Sequence, residues 1–80
     1  MQVILTEPFA GQFFTGQTDF ALEAPNLFAL VRALDAISPG FAEAAEESAA
    51  IAVDGTLRAD WSAPLAGAEE VLVVQRIAGG

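Results

Sequence analysis

The sequence predicts a single α+β domain: a mixed sheet of about five strands with one main helix packed on one face. Three observations predict it. Apolar residues fall at helical spacing over Leu27, Leu30, Val31, Leu34 and Ile37, which form one stripe. Short β-prone runs flank that stripe, two before it and three after it. The last run, Val71-Leu72-Val73-Val74, is apolar on both faces, with Val71 and Val73 on one and Leu72 and Val74 on the other. One helix covers only one face of a sheet. Part of the second face is therefore expected to be an exposed apolar patch of the kind that binds a partner. The alternative is that Phe13, Phe14, Phe41 and Trp61 fold over it.

The elements follow in order. Val3 to Thr6 is β-branched and apolar and reads as strand one, stopped by Pro8. Pro8 to Gly16 reads as a loop, with Phe13-Phe14 expected to close the edge of the core. Gln17 to Glu23 alternates, with Thr18, Phe20 and Leu22 on one side, and is expected to pair antiparallel with strand one. Asn26 is positioned to cap the helix, since its side chain accepts a free N–H of the first turn. Ser38-Pro39-Gly40 ends that helix. Phe41 to Ser48 is acidic and alanine-rich, and reads as a short helical turn with Glu43, Glu46 and Glu47 in solvent. Ala49 to Val53 is a buried strand, and Asp54-Gly55 is a hairpin turn leading to Thr56 through Asp60. Trp61 to Ala68 is a loop with Trp61 and Leu65 pointing inward, and it leads through Glu69-Glu70 to the last strand.

Composition removes whole classes of chemistry. The 80 residues make one domain, which hides only about 60% of the surface its unfolded chain exposes. With no cysteine there is no disulfide framework and no thiolate metal site; with no histidine the usual general base and the Ser–His and Cys–His nucleophiles are gone. Three arginines, no lysine and eleven carboxylates give a net charge of −8. Such a surface repels nucleic acid and anionic membranes and attracts a basic partner. No run approaches a membrane span or a signal peptide, so a cytoplasmic location is expected.

The remaining chemistry lies at Gly79-Gly80, which follow directly on the strongest strand. Glycine has no Cβ, so such residues thread a narrow channel and take whatever φ and ψ it imposes. The six residues from Gln75 to Gly80 reach about 20 Å when extended, enough to deliver a terminal carboxylate into a partner's active site. A free α-carboxylate is ionised at neutral pH and attacks the α-phosphorus of ATP where a partner supplies the magnesium and the anion-binding groups.

Several segments together resemble the ubiquitin-like sulfur carriers of the MoaD/ThiS family, most closely the small subunit of molybdopterin synthase. They are the helix leading into Ser38-Pro39-Gly40-Phe41, the Ala50-Ile51-Ala52-Val53-Asp54-Gly55-Thr56-Leu57 hairpin, the Pro64-Leu65 loop running to Glu69-Glu70-Val71, and Gly79-Gly80. Asp54 stands where the family carries asparagine, and Gln75-Arg76-Ile77 stands where the synthase subunits carry Pro-Pro-Val.

The resemblance implies a β-grasp fold over 1–80 with an extended tail over 75–80. It implies no bound cofactor or metal. An MoeB/ThiF-like activating enzyme would use ATP to adenylate Gly80, and a sulfur donor would convert it to a thiocarboxylate (1-thioglycine). An MoaE-like large subunit would take that sulfur for molybdopterin. Gly79, Ala78, Ile77, Arg76, Leu72 and Val74 would touch these partners, with Arg76 either pairing with a carboxylate at the partner's channel or standing as an exposed strand-end charge. A thiamine-thiazole carrier, a ubiquitin-like protein modifier and a plain β-grasp interaction module are the alternatives.

Overall fold

The computed structural model describes residues 1–76. The elements are β1 (Gln2–Leu5), α1 (Phe9–Phe13), β2 (Asp19–Ala21), α2 (Leu27–Ile37), α3 (Phe41–Ser48), β3 (Ala49–Val53), β4 (Thr56–Leu57) and β5 (Glu70–Gln75). The sheet order is β2-β1-β5-β3-β4. β1 and β5 run parallel at its centre, and the other neighbours are antiparallel. This mixed five-stranded sheet with helices gathered on one face is the β-grasp architecture that the sequence implies.

The core forms between the sheet and the helices. From β1, β3 and β5 it takes Val3, Leu5, Ile51, Val53, Val71 and Val73; from α2 it takes Leu27, Leu30, Val31 and Leu34. Ile37, the last residue of the expected stripe, is 54% exposed instead. It falls in the final turn, beyond the reach of the sheet, where α2 gives way to Ser38-Pro39. The expected cap at the other end is present: Ala29 N–H donates to Asn26 Oδ1 at 2.8 Å.

Two segments are more helical than the sequence reading allows. The Pro8–Gly16 loop contains α1, and Phe41–Ser48 is a full helix rather than a turn. In both, a pair of apolar residues one turn apart faces the core. Phe9 and Phe13 do so in α1, and Phe41 and Ala45 in α3. Phe41 is the hub of this packing. The rings of Phe9, Phe13 and Phe14 meet it edge-on, with centroids 5.8, 5.6 and 5.2 Å away. Each such pair adds about 0.5–1.5 kcal/mol beyond the area it buries, which offsets the weakness of short helices.

The strands are shorter than expected at the edges. The second strand is confined to Asp19–Ala21 and the fourth to Thr56–Leu57. Both are edge strands, and bonds from Leu5 N–H to the Thr18 carbonyl and from Leu22 N–H to the Met1 carbonyl carry the pairing of β2 one residue past each end. Trp61 is only half-buried and leans on Phe28 of α2, with ring centroids 5.7 Å apart, while Leu65 is buried as expected.

The junction between α2 and α3 depends on one carboxylate. Gly40 precedes α3 at φ 101, a left-handed conformation that favours glycine, but glycine has no side chain with which to cap. Asp35, from α2, takes that role: its Oδ1 accepts the N–H groups of Gly40 and Ala42, each at 3.0 Å. Asp35→Ala should lower stability by about 0.5–2 kcal/mol, read as a drop in the urea midpoint, and Asp35→Asn, which keeps an acceptor oxygen, by less.

Candidate functional site

β5 lies between β1 and β3, so its backbone is bonded on both edges while its side chains alternate across the sheet. Val71 and Val73 enter the core. Leu72 and Val74 are half-buried on the opposite face. Register places Ile4 and Ala52 on either side of Leu72, Leu57 beyond Ala52, and Ala50 beside Val74. Paired residues share a face, so these six form one apolar surface across β1, β5, β3 and β4. Alanine at positions 50 and 52 keeps it shallow, and Leu57 at its margin is 69% exposed.

The loop aromatics do not cover this surface. Phe13, Phe14 and Phe41 pack with the core on the helix side, and Trp61 packs on α2. Among the described residues the second face of the sheet is open, as the two-sided apolar pattern of β5 predicts.

Two anchors hold β5 in this register. At its start, Asp54 occupies the hairpin turn at φ 48, a conformation that aspartate tolerates better than most residues. Its Oδ1 accepts the N–H groups of Glu69 (3.0 Å) and Glu70 (2.8 Å), and its own N–H donates to the Glu70 carbonyl at 2.9 Å. The turn of one hairpin therefore fixes where the next strand begins. A slip of one residue would put Leu72 and Val74 into the core and Val71 and Val73 outside.

At the other end, Gln75, where the extended tail is expected to begin, is still paired with Ala49 as the last residue of β5. Arg76 N–H donates to the Ser48 carbonyl, and Arg76 Nη2 to the Glu47 carbonyl, both at 2.6 Å. These carbonyls belong to the last turn of α3, which has no basic residue of its own. The guanidinium supplies the positive charge that a helix C-terminus favours. Arg76 is thus an exposed strand-end charge whose guanidinium bonds a helix carbonyl among the described residues.

Of the residues the sequence singles out, the structure brings Leu72 and Val74 together on the open face and sets Arg76 at the end of their strand. Ile77, Ala78, Gly79 and Gly80 lie outside the described residues. Sequence reasoning missed Ile4, Ala50, Ala52 and Leu57 as companions on the face, although the alternation of alanine with Ile51 and Val53 carried part of that signal.

The fold and its open sheet face define a β-grasp domain. Among solved structures, the chain is similar to CysO of Mycobacterium tuberculosis, described as an antigen. The two superpose with a TM-score of 0.80 over 95% of this chain and 98% of that one, at 15% sequence identity. At that identity the likeness is one of fold. No protein-family model and no curated protein matches the sequence.

The Asp54 clamp is directly testable. Asp54→Ala removes the acceptor of two N–H groups and places alanine in a left-handed turn, and should cost about 1–3 kcal/mol in chemical denaturation. Asp54→Asn keeps both the oxygen and the turn preference and should cost under about 1 kcal/mol.

Proposed function

We propose that the chain is a ubiquitin-like sulfur carrier loaded at Gly80. The observation that carries this reading is the union of a β-grasp sheet with Gly79-Gly80 four residues beyond its central strand. The open apolar face beside that strand supports it, because a carrier must dock on the enzymes that load and unload it. A chain without cysteine has no side-chain thiol on which to hold sulfur. The proposed reactive group is the α-carboxylate of Gly80.

In the first step a carboxylate oxygen of Gly80 attacks the α-phosphorus of ATP on an activating enzyme of the MoeB/ThiF type, and pyrophosphate leaves. Hydrosulfide-level sulfur from a donor then attacks the acyl carbon. AMP leaves, and a thiocarboxylate remains. The chain contributes presentation: β5 is fixed at Asp54 and Arg76, so Leu72 and Val74 are held in one register on the open face. The proposed acceptor is an MoaE-like large subunit that builds the dithiolene of molybdopterin.

Gln75-Arg76-Ile77, in place of the Pro-Pro-Val of synthase subunits, favours as second reading a carrier serving another acceptor, such as thiazole synthesis. Protein modification is separated from both by its product, an amide to a lysine.

An intact-mass measurement on the chain isolated from its own host without reductant tests the reading. The expected mass corresponds to exchange of one oxygen for sulfur, and it disappears when Gly80 is deleted. Ladders of covalent conjugates would instead establish a modifier. An unmodified mass after incubation with the host's activating enzyme, ATP and a sulfur donor would overturn the carrier reading.

A further inference from the structure

A second surface feature runs from the helix side to the β3–β4 margin of the sheet, where Ala50 and Leu57 also border the open face, and its ligand does not depend on the sulfur-carrier reading. A cleft of about 650 Å³ opens beside α2 and α3, bordered by Phe28, Arg32 and Trp61. A second of about 370 Å³ runs beside β3 and β4, bordered by Leu57, Arg58 and Arg76. Trp61 and Glu46 line both, so the two clefts adjoin and are treated together as one groove.

The charge distribution along this groove is not that of the rest of the molecule. All three basic side chains of the chain line it, although they are far apart in sequence. Of the eleven side-chain carboxylates, only Asp35 and Glu46 line it. Asp35 is already committed to the N–H groups of Gly40 and Ala42. None of the three guanidiniums is in an ion pair among the described residues. Arg76 uses one nitrogen on the Glu47 carbonyl and keeps further donors.

The groove also offers apolar surface and a backbone edge. Phe28 is 48% exposed and meets Trp61 edge-on. β4 pairs only with Ala52 and Val53, so Ala49 and Ala50 of β3, which line the groove, have no strand beside them on that edge among the described residues. An extended chain is the ligand shape that meets an unpaired strand edge, and carboxylates are the groups that meet guanidiniums.

We infer that this groove docks an acidic, extended peptide segment of a partner protein, with an aromatic or aliphatic side chain seated against Trp61 and Phe28 and carboxylates on Arg32, Arg58 and Arg76. Local charge complementarity selects an acidic segment even though the protein as a whole is acidic. The other nine carboxylates disfavour a uniform polyanion such as nucleic acid, whose charges extend past the groove.

The test is a titration of the full chain with a short capped peptide of glutamates around a central phenylalanine, at low ionic strength. Trp61 is the only tryptophan, so its fluorescence reports the groove, and amide NMR shifts locate the contact. The expected result is saturable change at Trp61 with shifts around the three arginines. Arg32→Gln, Arg58→Gln and Arg76→Gln should each weaken binding about three- to fivefold, and added salt should weaken it further. The lysine counterpart of the peptide should not bind. Shifts centred on Leu72 and Val74, affinity unchanged in all three variants, no saturable change, or equal binding of an oligothymidylate would each overturn the inference.

Discussion

β5 is bonded along both edges, to β1 in parallel and to β3 in antiparallel register, and the rest of the domain is arranged around that pairing. A strand so placed has no free edge, and only its side chains remain to be satisfied. Val71 and Val73 are satisfied by α2 and the core; Leu72 and Val74 are left on a face that no helix covers. Among the described residues α1, α2 and α3 all pack on the core face of the sheet. The open face is therefore built into the architecture, and its apolar character distinguishes it from a merely solvated sheet surface.

Carboxylates do much of the joining between elements. Asp54 ties a hairpin turn to the start of β5, and Asp35 ties the end of α2 to the start of α3. Asp60 accepts from the Ser62 hydroxyl and backbone N–H, which hold its carboxyl below the usual carboxylate range and shape the turn that carries Trp61. The arginines behave differently. None is spent on an internal ion pair among the described residues, and all three face one groove. The molecule thus presents two chemically distinct surfaces, an apolar sheet face and a groove where its positive charge is gathered.

Much of this was legible in the sequence because it is local. The stripe from Leu27 to Leu34, the Asn26 cap, the Ala49–Val53 strand and the Asp54-Gly55 turn each depend on residues within a few positions of one another. The open face was legible too, since Val71-Leu72-Val73-Val74 has no polar side. α1 and the full length of α3 were not, because their stability comes from Phe9, Phe13 and Phe14 meeting Phe41 across some thirty residues of chain. Asp54 reaching Glu69 and Glu70, and Arg76 reaching Glu47, are likewise side chain-to-backbone contacts between distant segments, which no periodicity encodes. The convergence of Arg32, Arg58 and Arg76 exists only in three dimensions.

The central claim is that the open face of β5 is where an activating enzyme docks so that Gly80 can react. Leu72→Asp tests it most directly. The variant should fold cooperatively, since Leu72 faces away from the core, yet ATP-dependent pyrophosphate release with the host's adenylating enzyme should fall by about tenfold or more. Pyrophosphate release at the parent rate from a folded Leu72→Asp chain would contradict it.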